Sequence, residues 1–353
     1  MTTSAEPAST TIHGLAQSIA ALPYQLGYRP TASLVLLCMG SPEPVASGSG
    51  RMRGSVTLIA RVDVGPSPEL ASSVAGLEPA LRREDVASVV AVAFEDGDNE
   101  EMVDRIDATS TLCHLAAVAT SHSVAVVASA RVRNRQFTTV DAFGRMGAWE
   151  DLPHDGDVPI IAEYVMAGKA PARDRASVES VLRPVDEAFA EAVAACMDTD
   201  TAVGAREAAR IVSTVIHDPQ CQPAHLAPRE VAGVALALCD VEVRDAVLSR
   251  LSAPLAQRGA PGNDAERQVA HELDVCDRVD ASACFRLAAL ASYIPRQDAA
   301  PALTLVGYLA WQAGEGALAN MAIGAALEAT PDYSLARLVD MALSSALRPP
   351  SPV

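Results

Sequence analysis

Ser33-Leu34-Val35-Leu36-Leu37-Cys38-Met39 is an unbroken apolar run of strand length, and Ser55-Val56-Thr57-Leu58-Ile59-Ala60-Arg61-Val62-Asp63 alternates behind it. A short apolar run suits a buried strand, and alternation suits a strand with one face on a core. The alternation predicts Val56, Leu58, Ala60 and Val62 facing inward, with Ile59, Arg61 and Asp63 opposite. Working outward, residues 69–82 read as a helix, 87–94 as an apolar strand, 100–120 as a helix and 123–132 as a strand. On the longer helix Met102, Val103, Ile106, Cys113 and Ala117 share a face. The order strand, helix, strand, helix, strand implies right-handed crossovers, hence a mixed, largely parallel sheet flanked by helices. Its first two strands, joined only by a loop, are expected to be antiparallel neighbours. Upstream, a helix over 12–22 is expected to stop at Pro23, with Leu22 to Pro30 held as a turn. Residues 1–11 and the Ser-, Gly- and Pro-rich stretch 41–53 read as disordered.

The expected domains are an α/β domain over 12–150, an irregular linker over 151–175 that holds a short helix over 160–166 ended by Gly168, an all-helical domain over 176–347 and a tail from 348. Residues 134–150 are also expected to be irregular. Beyond about residue 176 the apolar spacing turns to three and four. It predicts helices over 178–196, 202–216, 228–238, 241–251, 264–279, 281–293, 302–313, 317–329 and 334–347. Pro228 suits a first helical turn and Asp240 suits a cap. In the penultimate hairpin, Gly307, Ala319, Ile323, Ala326 and Pro331 follow the small-residue spacing of a tetratricopeptide repeat, so a TPR-like hairpin is expected.

Half of the 353 residues are hydrophobic but only 4% are aromatic, so the core rests on Ala, Val and Leu. The formal net charge of -17 opposes binding to phosphate backbones. Arg131, Arg133 and Arg135 form one short basic stripe, read as a charged edge strand. The seven cysteines include no Cys-x-x-Cys, which excludes a disulfide framework. The first residues lack a basic start and an apolar core, and no run is long enough to span a membrane, so a cytoplasmic protein is expected.

No Gly-rich phosphate loop or Gly-x-Ser-x-Gly elbow occurs in its required context. Cys113 and His114 are adjacent on a helix, about 100° apart, and cannot act together. His217, Cys221 and His225 have zinc-compatible chemistry, but two prolines separate them and a fourth ligand is missing nearby. No metal site and no cofactor are expected. Lys169, the only lysine, reads as surface. Arg61 and Asp63 fall at a strand end, on a rim with Glu95, Asp96 and Asp98, where ligands of such sheets sit.

Several segments together resemble the actinobacterial family called domain of unknown function 4192. They are Leu22-Pro23-Tyr24 with Gly27-Tyr28-Arg29-Pro30 and Ser33-Leu34-Val35; Ala60-Arg61-Val62-Asp63; Ala162-Glu163 with Ala167-Gly168-Lys169-Ala170-Pro171; and Trp311-Gln312-Ala313-Gly314 through Pro331-Asp332-Tyr333. The resemblance implies no catalytic residues. It singles out Tyr28, Arg29, Ser33, Arg61 and Asp63, which become the candidate ligand-binding set. Many members carry a cysteine cluster after the last strand of the first half; the matching stretch 137–156 has none. The resulting expectation is an interaction or regulatory protein. Its helical half would meet a protein partner and its α/β half a small polar ligand. The alternative is an enzyme or small-molecule-binding protein acting at the rim.

Overall fold

The computed structural model describes residues 14–44, 52–64, 70–95, 107–198, 203–252, 255, 263–276 and 279–349. The expectations for residues 1–11, 45–51, 96–98 and 100–106 lie outside them, as do those for the tail beyond 349. The described ends of the stretch expected to be disordered over 41–53 pair antiparallel, Glu43–Pro44 with Met52–Arg53, which corrects that reading. The chain divides into two compact units, Met1–Arg175 and Ala176–Val353.

In the first unit the apolar run forms β1 (Ser33–Met39), and the alternating segment forms β2 (Val56–Asp63). They are followed by β3 (Ser88–Phe94), β4 (Ala125–Arg133), β5 (Gln136–Thr139) and β6 (Glu150–Asp151). The six strands lie in the order β2-β1-β3-β4-β5-β6. Only β3 and β4 pair in parallel; β1 is antiparallel to both its neighbours. The sheet is therefore mixed, and the expected parallel majority is corrected. β1 enters against the direction of β2 and β3, so just one crossover, through α4 (Ala108–Ser121), links parallel neighbours.

Helices cover both faces. Ile19 and Leu22 of α1 (Gly14–Leu26) pack on Val35, Leu37, Val92, Phe94 and Val132. Leu34, Leu36 and Cys38 point to the other face, where α4 lies on β3 and β4. This corrects the one-sided reading of β2. Ile59 packs into the α1-side cluster, while Val62 meets Gly76 on the opposite side. Alternation marks one buried face only when the other is wet, and along this edge strand both are partly covered.

Other expectations move for local reasons. α1 runs through Pro23 to Leu26, and Gly27 ends it at φ +81°. Pro23 removes one helical hydrogen bond, but Leu22, Tyr24 and Leu26 around it stay packed. The helix expected over 69–82 breaks at Gly76 into α2 (Leu70–Ala75) and α3 (Glu78–Leu81). α4 starts at an Asp107 cap, so its buried face is Leu112, Leu115 and Ala119 rather than Cys113 and Ala117. Asn134 and Arg135 both take positive φ, 51° and 60°, forming a two-residue hairpin turn. Arg135 is thus in the turn, and β4, paired on both sides, is not an edge strand. α5 (Pro159–Met166) packs on Ala20 and Ala21 of α1 through Ile161.

The helical unit begins within α6 (Arg175–Glu179), whose first residue is the last of the α/β unit. The helix expected over 178–196 is interrupted. A 3-10 turn and Pro184 follow α6, and Asp186 caps α7 (Glu187–Met197) by accepting from Phe189 N at 3.0 Å. Next come α8 (Ala205–His217), α9 (Pro228–Cys239) and α10 (Val241–Leu251), the last capped by Asp240. α11 (Asp264–Glu272) ends short of the expected 279. The Arg250 guanidinium takes the carbonyls of Ala270 and Leu273 at its end, 3.2 and 2.8 Å away. α12 (Ala281–Ser292), α13 (Ala300–Ala313), α14 (Gly316–Ala329) and α15 (Ser334–Ser344) follow. α13 and α14 form a tight hairpin in which Gly307 faces Ala319 and Ile323.

Candidate functional site

The antiparallel register sets Ser33 opposite Asp63 and Val35 opposite Arg61, so Ser33, Arg61 and Asp63 share the α1 face at one end of the sheet. Ser33 is fully buried. Its Oγ accepts from Arg61 Nε at 2.9 Å and Nη2 at 2.6 Å, and donates to the Thr31 carbonyl. Arg61 also pairs with Asp63 and lies over the Tyr28 ring, 5.8 Å from its centroid. Arg175 closes the group, its Nη1 2.8 Å from Asp63 Oδ2. Burial pushes the Tyr28 hydroxyl above its usual value, and the Arg61 and Arg175 charges pull the other way. Ala32, beside Ser33, is held at φ 41°, a left-handed conformation that disfavours a side chain. Its carbonyl accepts from Val64 N at 2.9 Å.

Tyr28, Ser33, Arg61 and Asp63 therefore meet. The Arg29 side chain joins a different group. It lies 3.9 Å from Asp155, which also accepts from the Tyr24 hydroxyl at 2.8 Å and stands 3.6 Å from Arg135. The backbone around Tyr28 and Arg29 holds the stretch that leads to Arg175. Tyr28 bridges Ala172, Arg29 N donates to Ala172 O at 3.0 Å, and Ala172 N donates to Gly27 O at 2.8 Å. The set is a clamp: side chains and backbone fasten residues 172–175 to the end of β1 and β2.

On the opposite face, Arg131 reaches buried Glu95 through Nε and Nη2, the latter at 3.1 Å, and Thr109 at 3.2 Å. The hydrogen bonds from Arg131 to Glu95 raise the guanidinium's affinity for its proton. Trp149 lies 6.0 Å above it. Asp155, Arg175 and the Glu95–Arg131 pair were missed from the sequence. Arg175 and Asp63 are 112 residues apart, and nothing local to either signals the contact.

His217 lies 3.7 Å from Cys276. Among the described residues no group of three His, Cys, Asp or Glu side chains is placed to hold a metal ion. Nor is any helix among them long and apolar enough to cross a membrane. In the helical unit, a groove of about 430 Å³ lies between α10, α13 and α15. Leu248, Trp311, Leu335, Leu338 and Val339 line it, and Asp245 stands at its rim.

The fold and site thus define a two-unit chain: a helix-covered mixed sheet clamped at one end, followed by an Ala-rich helical unit. The chain belongs to the family described as domain of unknown function DUF4192, whose family model matches residues 16–350. No curated protein and no solved structure matches it.

Proposed function

We propose that this protein acts in the cytoplasm by binding rather than by catalysis, its helical unit taking the apolar face of a basic amphipathic helix. The groove between α10 and α15 carries this reading. Leu335, Leu338, Val339 and Ala342 recur at the three- and four-residue spacing of one helix face. Asp245 and Leu248 repeat it on the other wall, with Tyr308 and Trp311 between them. Such a trough suits helix-in-groove recognition. Leu338 is 58% exposed and Met341, a turn further on, 59%. Glu242 and Asp340 are exposed on the wall helices against Arg337, Asp245 is already paired with Arg244, and the net charge of -17 steers a basic partner. We read the α13–α14 hairpin beside the groove as TPR-like.

The test is a fluorescent Leu/Lys peptide, roughly five helical turns long, with its leucines on one face, titrated by anisotropy into the full chain. Saturable binding is expected, lost in Leu338→Glu and absent for a scrambled peptide of equal composition. Equal binding of the scrambled peptide, or binding indifferent to Leu338→Glu, overturns the reading.

One observation favours a second reading, a small anion at the α/β rim. Two guanidiniums, Arg61 and Arg175, meet over the single carboxylate of Asp63. A phosphate or small carboxylate that displaces Asp63 would stabilise the chain. Melting in a panel of such anions, with and without Arg61→Ala, checks it; no shift in the wild type removes it.

A further inference from the structure

Cys276 lies between α11 and α12, half-buried, with its Sγ 3.7 Å from Nε2 of His217, the exposed last residue of α8. A thiol within reach of an imidazole has the geometry of an activated nucleophile. Two guanidiniums fix the chain ends that bring the pair together. The Arg250 guanidinium sits on the carbonyls of Ala270 and Leu273, and Cys276 N donates to Arg250 O at 2.8 Å. Arg286 of α12 holds the last carbonyls of α8, Val215 and Ile216, at 2.7 and 2.6 Å. The carboxylates nearby in sequence are Asp218, next to His217, and Asp274, Asp277 and Asp280 around Cys276, of which Asp280 is engaged with Ala283 N at 2.7 Å. Asp218 is engaged with Gln220 N at 2.8 Å, while His271 and Glu272 of α11 turn to Arg206 of α8. Burial pushes the Cys38 thiol up to about 12 and raises Cys221, while Cys239 is raised too but stays exposed, so it joins the comparison below.

We propose that Cys276 is a peroxide-reactive thiol with His217 as its proton acceptor. The thiol proton passes to His217 Nε2, and the sulfur attacks the distal oxygen of a hydroperoxide. The O–O bond breaks, and the leaving oxygen takes the proton back from the imidazolium. Cysteine is oxidised to sulfenic acid, and the hydroperoxide is reduced to an alcohol, or to water when hydrogen peroxide is the oxidant. This site is independent of the groove, so either proposal can fail alone.

The test exposes the full native chain to substoichiometric hydrogen peroxide with dimedone, which traps sulfenic acids, and maps adducts by peptide mass spectrometry. Cys113 and Cys196, also half-buried, and the exposed Cys239 are the internal comparison. Cys276 is expected to carry most of the adduct, and His217→Gln to slow it by about tenfold or more. In the wild type the Cys276 rate should stay high toward about pH 7, instead of following a free thiol near about 8.5. Equal labelling of Cys113, Cys196 or Cys239, or an unchanged rate in folded His217→Gln, overturns the proposal. A wild-type pH profile of an ordinary thiol overturns it without any variant.

Discussion

Replacing Ser33 by Ala should cost more stability than replacing Asp63 by Ala, although Asp63 carries the charge. Ser33 Oγ takes two N–H groups of Arg61, at 2.9 and 2.6 Å, and donates to the Thr31 carbonyl. Ser33 is fully buried and the Arg61 side chain is only 10% exposed, so water replaces little of what is lost. A hydrogen bond to a charged group contributes about 1.5–3 kcal/mol, which sets the loss for Ser33→Ala at about 2–3 kcal/mol. Asp63→Ala breaks two ion pairs, but its carboxylate is 65% exposed and Arg175 45%. Exposed pairs contribute about 0.2–1 kcal/mol each, so the expected loss stays near about 1 kcal/mol. The assay is urea unfolding in a Trp311→Phe background, leaving Trp149 of the α/β unit as the one remaining tryptophan of the chain's two. The Ser33→Ala midpoint should fall at least twice as far, with an unchanged slope. An equal or larger fall in Asp63→Ala would refute the view that the buried hydroxyl, rather than the exposed carboxylate, holds the clamp together.

A Cβ added at Gly307 lands 2.6 Å from both Cγ1 and Cδ1 of Ile323. Gly307→Ala should therefore destabilise by about 1–2 kcal/mol, an overpacking cost partly offset by helix propensity. Ile323→Val in the same chain should recover part of that loss, and strictly additive losses by Trp311 fluorescence would refute the contact. Glu95→Gln removes the anionic partner of Arg131, whose side chain is only 20% exposed, and should cost about 3 kcal/mol in the Trp149-monitored transition. A loss under about 1 kcal/mol would mean the pair behaves as a surface one. Hydrogen bonds from the Ser110 side chain and backbone hold the Asp107 carboxyl below its usual range. Its contribution to stability is then full above the unfolded-state carboxyl pKa and fades as pH falls through the lowered folded value. At neutral pH, Asp107→Ala should cost about 1 kcal/mol. The gap in melting temperature should close in acid, and a gap that persists there would refute the assignment.

The parts of the fold legible in the sequence were those fixed by burial over a few residues. β1 and β3 are apolar throughout because both sheet faces are covered, and the run alone marks them as strands. The class of the second half followed from its spacing. Positions decided by contacts far along the chain were not legible. Pro23 reads as a stop, yet the packing of Leu22, Tyr24 and Leu26 carries α1 past it. β5 was missed because its turn is Asn134-Arg135 rather than the Asn-Gly that usually announces such a hairpin. Four of the five candidate rim residues do converge: Tyr28, Ser33, Arg61 and Asp63. Arg29 diverges because Asp155, 126 residues later in the sequence, draws it away. Arg175, which completes the group, has no pattern around it that distinguishes it from any surface arginine.

Arg175 also closes the α/β unit at its very last residue. During synthesis every strand has left the ribosome before the helical half begins to follow. At roughly 5–20 residues per second, that half takes on the order of ten seconds or more to emerge. The sheet can be assembled in that interval, with Arg175 as the final latch. The first unit would then already be shut while the described helices of the second are still to fold.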